Sequence, residues 1–349
     1  MPDIPKTMRA VEAQGFAIDK LALVERPVPA PRPGDILIKL AAATLNYRDV
    51  ALMIGRYRAG IQFDKPFIPA SDGCGTVVAT GSEVTRFKVG DRVVPVYTQG
   101  WIDGLPTAEM RAQDTIGYPL DGVLREYIAV AARDAVHAPA NLSDVEAATL
   151  PIAGLTAWTT LQDAGVKSGD WVLCLGTGGV AIFALQFAKL AGARVAVISS
   201  SDQKLARVKQ LGADATVNYK STPDWVPAVR AATGGRGCDI VVETAGTLAQ
   251  SLGAAAFGAY VGVVGFTESH TAQLDVRQVI GPMIRVHGIA VGGRTGFEAM
   301  NRAIAQHDLK PVVDRVFALD KTQDAFALMA RGGHFGKIAI AITSEGTAR

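Results

Sequence analysis

The segment Trp171-Val-Leu-Cys-Leu-Gly176-Thr-Gly178-Gly179-Val180-Ala181 carries an apolar strand pattern straight into a glycine turn. The turn opens a helical stretch, Ile182-Phe-Ala-Leu-Gln-Phe-Ala-Lys189. Gly176 permits the tight turn, Gly178 lets backbone N–H groups approach a pyrophosphate, and Ala181 is small where helix must pack on strand. An anion placed there meets a helix N-terminus, where unpaired N–H groups and the macrodipole favour negative charge. Glycines alone serve any tight strand-to-helix turn. Set inside a repeated strand–helix pattern, they read as a dinucleotide site.

That repeat is visible from Asp144 onward. Strand patterns at Val172–Leu175, Val195–Ile198, Ala215–Val217, Asp239–Val242, Tyr260–Val264 and Val286–Val291 have helical-length segments in most of the gaps. Such alternation predicts an α/β, doubly wound parallel sheet. Residues 1 to about 140 are instead β-rich, with short runs such as Ile36–Leu40, Gly75–Ala79 and Asp91–Val96 between Pro and Gly turns. The tail offers Val316–Leu319, a helix over Lys321–Met329 and an apolar strand over Lys337–Ile342. Periodicity leaves open whether it extends the parallel sheet or returns to the first domain.

A chain of 349 residues suffices for two domains with separate cores. Its 35 basic and 33 acidic residues nearly cancel and form no basic stripe, which argues against nucleic acid as a partner. Hydrophobic residues make up 49%, yet Gly, Pro or charge interrupts every apolar run before a membrane span of about 18 residues is reached. A buried parallel sheet accounts for that composition. The opening Met1-Pro-Asp-Ile-Pro-Lys-Thr lacks the basic-then-apolar pattern of a secretory signal, so the cytoplasm is the expected location. Cys74, Cys174 and Cys238 are far apart and read as reduced, buried residues. His137, His270, His287 and His307 show no paired spacing and are assigned no chemistry.

Beyond the cofactor turn, the chain resembles the medium-chain dehydrogenase/reductase superfamily over nearly its full length. The resemblance rests on Asn46-Tyr-Arg-Asp49, Pro69-Ala-Ser-Asp-Gly-Cys-Gly-Thr-Val77, Val89-Gly-Asp-Arg-Val93, Asp121-Gly-Val-Leu-Arg-Glu-Tyr127, the turn at 176–181, Leu211-Gly-Ala-Asp214 and His334-Phe-Gly-Lys-Ile338. It implies a GroES-like catalytic domain over 1–145 and 292–349, a Rossmann domain over 146–291, and a cleft where nicotinamide meets substrate. It also implies a homodimer in which Val286–Val291 pairs across a two-fold axis, since an edge strand this apolar is otherwise an aggregation liability.

Alcohol dehydrogenases of this superfamily hold a catalytic zinc through a Cys, a His in a Gly-His-Glu segment, and a further Cys or acidic residue. Aligned on Asp49, those positions resemble Asn46, the segment Ala70-Ser71-Asp72, and the neighbourhood of Ile152. Asn and Ser are not usual zinc ligands and Ile cannot be one. Independently of alignment, no histidine precedes His137, Cys74 is the only thiol of the first domain, and the lobe Tyr97–Leu120 has no cysteine for a structural zinc. No zinc is expected. Reducing a carbonyl concentrates charge on one oxygen, which a metal would stabilise. Reducing a conjugated C=C delocalises it into an enolate that hydrogen-bond donors can hold. The zinc-free relatives most resembled, quinone and enoyl reductases, act on such acceptors.

Tyr47, Arg48 and Asp49 lie beside the vacated ligand position; Arg48 and Asp49 read equally as a buried ion pair fixing the loop. Asn46 is a hydrogen-bond candidate for a substrate carbonyl or the nicotinamide, or else a turn residue. Tyr57 resembles a tyrosine that enoyl-reductase relatives place near the reacting carbons; the alternative is an aromatic lid. His334, Phe335, Gly336 and Lys337 resemble a C-terminal cofactor-contacting segment. The cofactor set is completed by Gly176, Thr177, Gly178, Gly179 and Val180 of the turn, with Thr156, Thr244, Gly265 and Phe266.

An NAD site of this kind carries an acidic residue about 20 residues after the first glycine. Here Ser199, Ser200 and Ser201 occupy that place, with Lys204 and Arg207 on the next helix, and no carboxylate arrives before Asp202. Hydroxyls and positive charge suit a 2′-phosphate. Lys204 with Tyr219 resembles the 2′-phosphate contacts of quinone-reductase relatives, so NADPH is favoured over NADH. The expected function is zinc-independent, NADPH-dependent reduction of quinones or α,β-unsaturated carbonyls. A zinc-independent alcohol or aldehyde dehydrogenase and a crystallin-like cofactor-binding protein are the competing readings.

Overall fold

The computed structural model describes residues 4–57 and 61–343, in two compact units: one runs to Ile152 and resumes at Gly292, the other is Ala153–Val291. In the first unit β1 (Thr7–Ala13) and β2 (Leu21–Pro27) form an antiparallel ribbon. The strands β3 (Asp35–Thr44), β4 (Asp72–Thr80), β5 (Arg92–Pro95), β6 (Tyr127–Ala131) and β7 (Ala135–His137) belong to a seven-stranded sheet. At its centre β3 pairs with β4 along one edge, its inward Ile36, Ile38 and Leu40 fully buried. On the other face Leu37 is buried in a second cluster with Met8, Val78 and Tyr127, so both faces are covered, which explains the apolar runs of the first 140 residues.

In the second unit β8 (Trp171–Leu175), β9 (Arg194–Ser199), β10 (Ala215–Asn218), β11 (Cys238–Glu243), β12 (Ala255–Val263) and β13 (Arg285–Gly288) form one parallel sheet in the order β10-β9-β8-β11-β12-β13. All five residues of β8 are buried, as a central parallel strand covered on both faces requires. The strand order reverses between β8 and β11, and there the chain leaves β8 into Gly176. Ligands of doubly wound sheets bind at such a point.

The tail returns to the first unit: β14 (Val313–Ala318) pairs parallel with β15 (Lys337–Ala341), and β15 lies antiparallel to the end of β3. This settles what periodicity left open. Every residue of β15 is buried, so it needs a place inside a sheet. The helix Thr322–Ala330 falls where a helix over Lys321–Met329 was expected.

Three boundaries differ from expectation. The break expected after residue 145 falls inside the helix Asp144–Ala147, which packs on β3, β4 and β15. Thr44 Oγ1 also donates to Ala148 O at 2.8 Å, so this stretch stays with the first unit. β12 starts at Ala255 rather than Tyr260: Ala255–Ala259 belongs to the strand but carries Gly258 at φ +73° and a register shift against β11, and it has no apolar alternation. β13 stops at Gly288, short of Val291, whose φ of +71° breaks the strand. All four residues of β13 are exposed, and Phe257, Val276, Ile280, Met283 and Val286 form exposed apolar surface on this unit. No helix among the described residues is long and apolar enough to cross a membrane.

Candidate active site

In the second unit, the turn after β8 has the geometry that the dinucleotide reading needs. Gly176 sits at φ +80°, the left-handed region that favours glycine. A Cβ built on Gly178 meets no atom of the chain within 4 Å, so the turn offers backbone to open space. Gly178 is the N-cap of the helix Gly179–Leu190, and with no side chain there the N–H groups of Gly179 and Val180 face no capping oxygen from it. Thr177 is buried, and Thr244 Oγ1 donates to Leu175 O at 2.8 Å, fastening the end of β11 to the end of β8. Thr156 is buried on the helix Leu155–Ala164, while Gly265 and Phe266 follow β12, Phe266 with its ring centroid 4.7 Å from that of His270.

At the end of β9, Ser199 is buried and its carbonyl accepts from Tyr219 N at 3.1 Å, which brings Tyr219 beside the serines. Ser201 Oγ accepts from Lys204 N at 3.4 Å as the N-cap of the helix Asp202–Gln210. Ser200 and Lys204 are half-buried and Arg207 is exposed. The carboxylate of Asp202 is held by Asn218 Nδ2 at 2.8 Å, and Asn218 Oδ1 in turn accepts from Lys220 N. This Asn218 contact was not foreseen from sequence.

In the first unit, sheet register gathers the polar candidates. Thr44 of β3 lies opposite Ala339 of β15 on one side and Asp72 of β4 on the other. Two residues further, the same antiparallel register brings Lys337 to Asn46, just before the helix Tyr47–Met53. The buried Lys337 Nζ donates to Leu45 O at 2.8 Å, Asn46 Oδ1 at 2.7 Å and Asp72 Oδ2 at 3.4 Å. Asp72 also accepts from Ser71 Oγ at 2.8 Å and Ile152 N at 3.3 Å. Burial lowers the Lys337 pKa, against the pull of Asp72 and Asp49. Lys337, grouped by resemblance with the cofactor contacts, thus has its ammonium enclosed in the first unit. His334 is half-buried, and Phe335 and Gly336 are buried at the start of β15.

Asp49 Oδ2 accepts from Asn46 N at 2.8 Å and Asp49 Oδ1 from Arg48 at 3.2 Å. Burial pushes its carboxyl up to about 6, against Arg48 and the Asn46 hydrogen bond. Arg48 also donates to Ile116 O and Tyr118 O, and its guanidinium lies 5.0 Å from the ring centroid of Tyr57 and 5.2 Å from that of Tyr97. The two tyrosine hydroxyls are 3.4 Å apart. Arg48 and Asp49 therefore form the buried ion pair that was one of the two sequence readings, and Arg48 additionally holds Tyr57. Tyr47 is half-buried beside them. Asn46 Nδ2 is buried and has no hydrogen-bond partner among the described residues.

Asn46, Ser71 and Ile152, the positions matched to zinc ligands, do not fit a zinc ion. They supply one amide, one hydroxyl and a backbone N–H, and a lysine ammonium stands among them. Among the described residues no group of three or more His, Cys, Asp and Glu side chains converges. The three cysteines are buried and free, and burial pushes their thiols up, which makes none a thiolate nucleophile.

Comparison with known proteins accords with this two-unit arrangement. Residues 32–140 match the family model of the alcohol dehydrogenase GroES-like domain, and residues 179–306 that of the zinc-binding dehydrogenase. The chain is 40% identical to a zinc-type alcohol dehydrogenase-like protein of Schizosaccharomyces pombe, over 95% of this chain and 97% of that one. The chain belongs to the medium-chain dehydrogenase/reductase superfamily. It is an enzyme of the medium-chain oxidoreductase class. A chloroplastic quinone oxidoreductase, QR1 of Triphysaria versicolor, is 31% identical over 96% of this chain and 98% of its own. Among solved structures, the 2-octenoyl-CoA carboxylase reductase CinF in complex with NADP and 2-octenoyl-CoA superposes with a TM-score of 0.83, at 25% identity over 97% of this chain and 88% of its own.

Members of this superfamily use NAD(P). The glycine turn, open at Gly178, fits such a cofactor. What the sequence did not single out is the Lys337–Asp72 pair and the contact of Tyr97 with Arg48. One signal was present: a lysine heading the apolar run Lys337–Ile342 enters a buried strand and so must find partners there.

Proposed function

We propose that this oxidoreductase works without zinc and uses NADPH to reduce quinones or α,β-unsaturated carbonyls. The observation that carries this reading is Asn46 Nδ2, a buried donor with no partner among the described residues, at the position matched to a metal ligand. A neutral donor suits an oxygen whose charge is shared over an enolate or hydroquinone better than the concentrated charge of an alkoxide. When bound, the nicotinamide supplies hydride. Asn46 then donates to the acceptor's oxygen, and Tyr57, its ring held against Arg48, is the candidate proton donor, with solvent as the alternative source. A quinone oxidoreductase among the relatives and an enoyl thioester with NADP in a structural neighbour support this acceptor class.

For the cofactor, Ser199, Ser200, Ser201, Lys204 and Tyr219 offer donors to a 2′-phosphate, and Asp202, the first carboxylate after the serines in sequence, is engaged by Asn218. The reading includes a cytoplasmic homodimer joined along the exposed β13 edge and its apolar surroundings; light scattering that returns the 36.6 kDa monomer mass would contradict the dimer. The test of function is substrate-dependent NADPH loss with 1,4-benzoquinones, enones and saturated aldehydes of equal size. Quinones or enones are expected to be faster. If saturated aldehydes or their alcohols react best, the enzyme is a zinc-independent alcohol dehydrogenase; if no acceptor consumes NADPH, the crystallin-like reading replaces both.

A further inference from the structure

Lys337 Nζ lies 2.7 Å from one polar atom of the Asn46 carboxamide. A lysine nitrogen carrying only N–H groups needs an acceptor there, so that atom is Oδ1 and the NH2 group must turn the other way. The ammonium has three N–H groups, and it faces three acceptors: Leu45 O, Asn46 Oδ1 and Asp72 Oδ2. Releasing Asn46 would leave a buried donor unpaired, so the carboxamide is held in one orientation. The outward Nδ2 is itself buried without a partner among the described residues, a state that an arriving oxygen would relieve.

We propose that Lys337 is a positioning residue for the reaction: it fixes the Asn46 carboxamide with Nδ2 presented to the substrate's oxygen, and its charge strengthens that donor as the oxygen becomes negative. The idea rests on the reductase reading above for the identity of the oxygen, but adds what holds the donor. Lys337 itself touches no substrate. Asp72 is the counter-charge that lets the ammonium stay in the interior, and the β15–β3 register sets the reach of Lys337 to Asn46.

A double-mutant cycle tests it. Asn46→Ala should lower kcat for an enone by about 100-fold and Lys337→Met by at least about 10-fold, with the NADPH dissociation constant unchanged in both. If Lys337 acts through Asn46, the double variant loses no more than Asn46→Ala alone. Additive losses would mean a general structural role and overturn the proposal. Should Lys337→Met fail to fold because Asp72 is left unpaired, Lys337→Met/Asp72→Asn takes its place in the cycle. A second readout needs no turnover: in protein labelled with 15N-asparagine, the Asn46 side-chain amide should give a distinct, slowly exchanging signal that collapses toward solvent-exposed values on Lys337→Met. An unchanged signal overturns the positioning role. If the wild type reduces no quinone or enone, the reductase reading fails while this amide signal still decides whether Lys337 holds Asn46.

Discussion

The two polar regions of this enzyme are built on opposite plans. The glycine turn of the second unit is made by neighbours in sequence, Gly176 to Gly179, and offers backbone, so its design is one of omission: no Cβ at Gly178 and no N-cap side chain on the helix. The cluster of the first unit is made by residues from three distant segments, Asn46, Asp72 and Lys337, which sheet register brings together as buried, mutually dependent side chains. At Gly178 the first has room for added bulk, which is expected to cost it as a site before it costs it as structure. The second can fail as structure too, because Asp72 or Lys337 left alone is a buried unpaired charge.

That contrast can be broken most sharply at Gly178. Because an added Cβ meets nothing in the chain, Gly178→Ala should fold with a stability loss of no more than about 1 kcal/mol, the cost of a poorer N-cap. It should still weaken NADPH binding by at least about 100-fold, about 2.7 kcal/mol, by filling the space of the pyrophosphate. Titration of cofactor fluorescence together with a thermal melt reads both; a large fall in stability would show the turn to be packed rather than open. Lys204→Ala should raise the NADPH dissociation constant by about 10-fold, about 1.4 kcal/mol, while leaving that of NADH in place. Equal binding of the two cofactors by the wild type would remove the 2′-phosphate assignment.

The smallest expected effect concerns the first unit. Asp49 titrates at about 6 when folded, above its ordinary 3.8, so between these values the folded state binds more protons than the unfolded one. Stability therefore falls as pH rises through this window, by about 1 kcal/mol between about pH 5 and pH 6, and the loss is complete above the folded pKa. Urea midpoints across that range should show a slope in the wild type that is missing in Asp49→Asn. Parallel slopes would mean that Arg48 compensates Asp49 fully.

What could be read from the sequence follows from the same contrast. The six parallel strands announce themselves through apolar runs and intervening helical segments, and the cofactor turn through adjacent glycines. Val291 and Ala255–Ala259 differ from expectation because a positive φ, at Val291 and at Gly258, leaves no periodic trace. Asn46, Arg48, Asp49 and Tyr57 were suspected from their place next to a vacated ligand position. The ammonium that faces Asn46 was not, because its place depends on a strand pairing between residues 42–44 and 339–341 that no local pattern encodes. Asn218 escaped notice for the same reason, since its contact with Asp202 links the ends of two separate elements.

In the proposed reaction hydrogen-bond donors, and no metal, hold the charge that develops on the acceptor. Metal content and enone reduction measured on one preparation, before and after treatment with a strong chelator, decide whether a metal takes part. No stoichiometric zinc and an unchanged rate are expected. One tightly bound zinc per chain, lost together with activity, would contradict it.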